Sequence, residues 1–311
     1  MTAYIARRLL QMIPIALGLA ALIFLLIHLI PGDPALVILG PHATPDQVAR
    51  LHAYWHLDDP LWTQFYFFIV RLLHGDLGTS IVYQDSVLDL LVGRMPVTLL
   101  LAFLSMLLSV ALAVPLAVVA TVNHGRLVDR GLRLLTFVGF AMPSFWLAML
   151  LMILFGVNLH WLPVAGYGTA FGDHLYHLIL PIVVVSLSIF PLLLRTLRAS
   201  LLEVVGQDYV RTARAKGLAS RRVLFKHVLR NALLPTITIV GLNLGSLLSG
   251  TVVIESVFAL PGVGYLLTAS VNTRDYPSVQ GAALALGMLY VVVNMVTDLS
   301  YSFADPRILR A

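Results

Sequence analysis

At 311 residues, 59% hydrophobic and only 11% charged, the chain carries more apolar surface than a water-soluble core of this size encloses, so it reads as a polytopic membrane protein. Its net charge of +5 gathers on a few polar connections between apolar runs, which excludes a nucleic-acid-binding role, since that needs a basic face free in solution. With no cysteine, disulfides, thiolate metal sites and cysteine nucleophiles are excluded as well.

Six apolar runs reach spanning length: Leu9–Ile30, Val97–Val122, Leu132–Val157, Leu178–Leu197, Ala232–Val257 and Gly281–Phe303. The first follows Arg7 and Arg8 and is 22 residues long, more than the core of a secretory signal, and reads as a retained span. Pro31-Gly32-Asp33-Pro34 cannot continue a helix and turns the chain outward. Residues 31–96 then form an outer-side insertion, with helices predicted at Pro45–Trp55, capped by Thr44 or Asp46, and at Pro60–Leu73. Within it Phe65–Val70 is too short to span, and Trp55, Trp62 and Tyr66 suit either the membrane interface or internal packing.

A short basic loop, Asn123–Arg133, pairs the second and third spans. Pro143, in Met142-Pro143-Ser144-Phe145-Trp146, predicts a kink in the third, either structural or lining a path. Leu162–Gly168 reads as a turn-rich outer loop. The fourth span holds Pro181 and Pro191 and ends on Arg195 and Arg198, which reach for the interface. The fifth carries Gly241, Gly245 and Ser249 at four-residue spacing, a helix-packing stripe for a neighbour in this chain or a partner. Glu255, near its outer end, reads as an interfacial carboxylate rather than a buried proton relay. A last outer loop, Leu260–Tyr265, leads through Asn272–Pro277 into the sixth span, which ends near Asp298 and Asp305-Pro306-Arg307.

Placing both termini in the cytoplasm leaves only Arg50, Arg71, Arg94 and Arg274 outside and sixteen of the 20 Lys and Arg inside, which fixes the expected orientation. Neither lysine, Lys216 or Lys226, follows a glycine-rich phosphate loop, so the chain is not itself an ATPase. No Asp, Glu, Lys or Arg sits at the centre of an apolar run, which disfavours ion coupling; backbone carbonyls can bind sodium, so an ion-coupled secondary transporter stays as the alternative. His52 with His56 and His174 with His177 share helix faces but lack further ligands, and there is no Gly-x-Ser-x-Gly elbow. No metal ligand, catalytic residue or substrate-binding residue is assigned.

The polar segment 203–235 is the feature left to explain. Asp208 to Lys216 predicts a helix stopped by Gly217, and Ser220 is placed to cap a second helix running from Arg221 through Arg230 into the fifth span. Such an exposed helix either transmits a push from a bound partner to the spans or rests on anionic lipid.

The run Asp208-Tyr209-Val210-Arg211-Thr212-Ala213-Arg214-Ala215-Lys216-Gly217-Leu218, continuing as His227-Val228-Leu229-Arg230-Asn231-Ala232-Leu233-Leu234-Pro235, resembles the ATPase-contacting loop of ABC importer permeases. More narrowly it resembles the first, B-type permease of the dipeptide, oligopeptide and nickel import class. Arg8-Leu9, Pro31–Pro34, Leu57-Asp58-Asp59-Pro60, Gly75-Asp76-Leu77-Gly78-Thr79-Ser80, Pro143–Trp146, Leu162-Pro163, Leu260–Gly264, Arg274-Asp275-Tyr276-Pro277 and Asp305–Ile308 follow the same pattern in order. It departs in two places: Arg211, Thr212 and Ala213 stand for the Glu-Ala-Ala of the broader consensus, and His56 stands where the class usually has Gly.

The resemblance implies an all-α, type I importer-like fold with six transmembrane helices and an outer helical insertion. Its parts would be an N-terminal segment and first span (1–30), the insertion (31–96), a permease core (97–304) with the coupling loop 203–235, and a cytoplasmic tail (305–311). It further implies ATPase coupling through Asp208, Tyr209, Arg211, Thr212, Ala213, Arg214, Ala215, Lys216, Gly217 and Leu218, in a bacterial cytoplasmic membrane. The implied partners are a second homologous permease, one or two cytoplasmic ABC ATPases that hold ATP and Mg, an extracytoplasmic substrate-binding protein and membrane lipid. This chain would bind no cofactor of its own, and peptides or related small solutes would be the cargo.

Overall fold

The computed structural model describes residues 2–28, 34–40 and 43–304, and among them the chain is helical, with one isolated antiparallel bridge between Thr79 and Ser86. Helices Val87–Val122, Gly172–Val205 and Tyr276–Thr297 are long and apolar enough to cross a membrane. Leu127–Ala141 and Ser144–Asn158 pass together, but the chain bends by 103° between them. The apolar stretches Leu10–Leu25 and Leu247–Val257 are shorter. The chain divides into two compact units, Met1–Leu99 with Ala259–Val292 and Leu100–Phe258 with Val293–Ala311.

In the first unit, the helix Pro45–Trp55 starts at a capping box in which the Thr44 hydroxyl accepts from Gln47 N–H while the Gln47 side chain accepts from Thr44 N–H. It stops at His56, in left-handed backbone (φ 56°), a region that Asn, Asp and His enter more readily than other non-glycine residues. The ring is held there by Asp59, 3.0 Å from Nδ1, and by stacking on Phe67 with centroids 3.8 Å apart. That is how a histidine holds this left-handed turn. In the next helix, Leu61–Leu73, buried Gln64 donates to Leu57 and Asp59 carbonyls and lies 2.9 Å from His28 Nε2, which ties the insertion to the first helix.

Two distant motifs meet in this unit. Fully buried Asp275, just ahead of helix Tyr276–Ala304, accepts from Ser80 Oγ, from Ile81 N–H at 3.1 Å and from Ser278 Oγ at 2.8 Å. The Gly75–Ser80 loop is thereby fastened to the start of the last helix. Nearby, Val87 and Leu91 pack with Val263, Leu266 and Ala282.

In the second unit, helix Phe171–Val205 runs unbroken through Pro181 and Pro191 and packs against Leu127–Ala141 and Arg230–Val257. Ser109 Oγ donates to the Ser186 carbonyl at 2.9 Å. Asp129, fully buried, takes a two-pronged bond from Arg198, Nε at 2.6 Å and Nη2 at 2.9 Å, and accepts from Gly125 N–H at 3.0 Å. Arg198 therefore turns inward to a carboxylate instead of reaching for the interface, while Arg195 stays exposed.

Several expectations need correction. The second long helix begins at Val87, ahead of the apolar run, because Val87, Leu91 and Val97 already bury one helical face. The proline at 143 does not merely kink its helix: Met142 is extended (φ −89°, ψ 118°) and a new helix starts at Ser144, as a residue before proline favours. The outer loop expected at Leu260–Tyr265 gives way at Val263 to a helix, Val263–Thr273, whose Val263, Leu266 and Ser270 are buried. Glu255 is fully buried within the chain. Ala219, not Ser220, holds the N-cap position and makes no side-chain cap bond. The turn expected at residues 31–33 and the tail expected at 305–311 lie outside the described residues.

Candidate functional site

The polar segment forms a short helix held on a long one. Helix Phe171–Val205 ends where Gly206 N–H returns to the Glu203 carbonyl, Gln207 is extended, and Asp208 opens the helix Asp208–Ala215 with its charge at the positive end of the helix dipole. The chain then turns and enters a continuous helical stretch from Ser220 to Val257 that widens to a π turn over Val223–Leu229.

The short helix is two-sided. Val210 and Ala213, three residues apart and so on one face, are buried, and the helix packs on the π turn. Asp208, Tyr209, Arg211, Thr212, Arg214, Ala215, Lys216 and Gly217 are exposed, and Leu218 is half-buried. Asn231 braces it from the long helix, its amide donating to Tyr209 Oη and to the His227 carbonyl, each at 2.9 Å. This brace was not legible in the sequence, where Tyr209 and Asn231 are simply two polar residues of one motif.

The end of the short helix is set by backbone geometry. Gly217 has φ +77°, its N–H bonds the Arg214 carbonyl at 2.9 Å and the Leu218 N–H bonds Ala213 at 3.3 Å, the paired bonds of a Schellman stop. A Cβ at Gly217 would meet nothing within 4 Å, so glycine is needed there for its left-handed backbone and not for space inside this chain. The exposed face carries Arg211, Arg214 and Lys216 against Asp208, with Arg221, Arg222, Lys226 and Arg230 exposed on the following stretch. The segment is a basic knob joined to a helix, Gly172–Val205, that is long and apolar enough to cross a membrane.

Elsewhere, Gly241 is buried and a Cβ on it would lie 1.8 Å from Thr297 Cγ2, while Gly245 is buried and Ser249 exposed. Of the histidine pairs, His52 bonds Asp58 at 2.9 Å, His174 stacks on Tyr167 and His177 faces the Ala165 carbonyl. No group of three metal-ligating side chains occurs among the described residues.

Comparison with known proteins bears on this arrangement. Residues 113–310 match the family described as binding-protein-dependent transport system inner membrane component, and residues 1–102 match the N-terminal model of the same kind of component. The chain is 42% identical over 99% of both chains to a protein of Brucella abortus named for a peptide transport system permease. It is 40% identical over 99% of both chains to the oligopeptide transport system permease protein AppB of Bacillus subtilis, and equally to the glutathione transport system permease protein GsiC of Salmonella typhimurium. The fold is similar to a chain of the MetNI methionine ABC transporter in an inward-facing conformation, with a TM-score of 0.57 at 16% identity over 70% of this chain and 96% of that one. The chain belongs to the family of binding-protein-dependent transport system inner membrane components, and is a multi-pass inner-membrane permease subunit of an ABC importer.

Proposed function

We infer that this chain is one of two homologous permeases that together form a path for peptides or related small solutes, delivered by an extracytoplasmic binding protein and driven by one or two cytoplasmic ATPases that hold ATP and Mg. The reading rests on the braced, exposed helix Asp208–Ala215 and its glycine stop at Gly217. Its residues Asp208, Tyr209, Arg211, Thr212, Arg214, Ala215 and Lys216, with Gly217, present the contact surface, and Val210 and Ala213 seat it. The names of the Brucella, Bacillus and Salmonella relatives support peptides as the cargo class.

The chain crosses the membrane six times with both termini in the cytoplasm, residues 31–96 lie outside, residues 97–304 form the core and 305–311 the tail. ATPase closure on nucleotide moves the short helix as a body, because the π turn and Asn231 join it to the Arg230–Val257 helix.

The test is co-purification with the second permease and the ATPases, followed by ATP hydrolysis with and without the binding protein loaded from a peptide pool. Stimulation by the loaded binding protein is the expected result. A chain that purifies alone and moves solute on an ion gradient without ATP would overturn the reading in favour of a secondary transporter.

A further inference from the structure

Beside the Asp129–Arg198 pair, a cavity of about 320 Å³ opens between the helices Leu127–Ala141 and Phe171–Val205. Its floor is apolar, with Leu132, Phe137, Phe140 and Leu194, and its polar lining comes from Thr136 and from Arg133, Arg195 and Arg198. Arg133, Phe137 and Phe140 recur at helical spacing and so share one side of their helix. Arg198 is spent on Asp129 at 2.6 Å, whereas Arg133 only grazes that carboxylate at 3.9 Å and Arg195 is exposed. The charge left facing the cavity is therefore positive. Phe137 and Phe140, large apolar side chains in the same lining, are 72% and 50% exposed.

We propose that this cavity seats an anionic phospholipid, its phosphate at Arg133 and Arg195 and an acyl chain along Phe137 and Phe140. Two features of an amphiphile are matched at once: a cationic rim for the phosphate and an apolar floor for the tail. Water alone would leave the phenyl rings wet, and a soluble anion would leave them uncovered. The proposal rests on the orientation given above, in which Arg133 and Arg195 lie at the cytoplasmic ends of the apolar runs Leu132–Val157 and Leu178–Leu197, where anionic headgroups attract basic side chains. Arg198 acts as a positioning residue: by neutralising Asp129 it keeps a carboxylate from repelling the phosphate.

The assembled complex, purified in mild detergent, is titrated with phosphatidylglycerol or phosphatidylcholine and the bound lipids are counted by native mass spectrometry. A saturable phosphatidylglycerol adduct is expected, weakened about 25-fold in R133Q/R195Q, since each basic side chain near an anionic surface multiplies affinity about fivefold. The equally charged control R126Q/R130Q, which alters exposed residues outside the cavity, should keep it. Equal losses in both double variants, or no loss in either, would overturn the proposal.

If R133Q/R195Q fails to assemble, the wild-type complex is placed in vesicles containing a phosphatidylglycerol with a photoreactive tail, and the crosslinks are mapped. Crosslinks within Leu132–Phe140 or Leu194–Arg198 are expected. Their absence, or contact of the second permease with Phe137 and Phe140, would overturn it. Membrane orientation is read separately by side-specific labelling, so failure of the lipid site and failure of the topology are distinguishable.

Discussion

At the scale of single residues, the Asp129–Arg198 pair is the contact most exposed to failure. The carboxylate is fully buried and Arg198 is 16% exposed, so each charge depends on the other. Asp129→Asn leaves the guanidinium uncompensated, and removing one member of a buried pair costs about 3 kcal/mol or more, whereas removing both costs far less. The expected outcome is a large drop in the thermal midpoint of the purified complex for Asp129→Asn and substantial recovery in Asp129→Asn/Arg198→Gln; equal instability of the two would show that the ion pair is not the cause. Asp275 makes a parallel case with neutral donors. Asp275→Ala strands Ser80, Ile81 N–H and Ser278, and an unmet buried donor costs about 1–3 kcal/mol. Looser attachment of the 75–80 loop should appear as faster proteolysis there. Neither partnership was legible in the sequence: both pair residues far apart in the chain, and no local periodicity marks a carboxylate that folding will bury.

At the scale of elements, glycines at two positions have opposite reasons to be there. Gly241 lies where the last helix comes close, so Gly241→Ala drives a methyl into Thr297, while Gly250, on the same helix, has open space around it. Overpacking costs about 1–3 kcal/mol, and Gly to Ala in an open helix gains up to about 1 kcal/mol. Gly241→Ala should therefore lower, and Gly250→Ala hold or raise, the thermal midpoint. At Gly217 the constraint is torsional, and Gly217→Ala loosens the helix stop by about 1 kcal/mol. Gly217→Trp adds bulk to an exposed contact face without a clash inside the chain, so it should leave insertion normal and abolish uptake; full uptake would remove the coupling role.

Most elements were legible because long apolar runs and clear caps leave few alternatives, as Thr44 and the Gly217 stop show. The helix Val263–Thr273 was hidden because Pro261-Gly262 and Gly264 imitate a turn, and its buried face is partly glycine and serine. The short coupling helix was legible in outline, from its charges and terminal glycine. Its brace was not, since that depends on where the π turn places Asn231.

At the scale of the whole molecule, the 103° break between Leu127–Ala141 and Ser144–Asn158 decides the topology. If the pair crosses as one broken span, the chain between Asp46 and Lys226 crosses three times and the two residues face opposite sides. If it re-enters on one side, only the helices Val87–Val122 and Gly172–Val205 cross, and the two residues share a side. The second case would put Arg211, Arg214, Lys216, Arg221, Arg222, Lys226 and Arg230 on the same face as the acidic insertion, against the bias of basic loops toward the cytoplasm. The broken span is therefore the expected answer, and the absence of native cysteine makes it directly measurable. Single variants Asp46→Cys, Lys226→Cys and Asn272→Cys, all at exposed positions, are treated with a membrane-impermeant maleimide on intact spheroplasts and on inside-out vesicles. D46C and N272C should react on spheroplasts and K226C only on inside-out vesicles. Reaction of K226C on spheroplasts together with D46C would make the bent pair a re-entrant loop, and would remove the basic helix from any cytoplasmic ATPase.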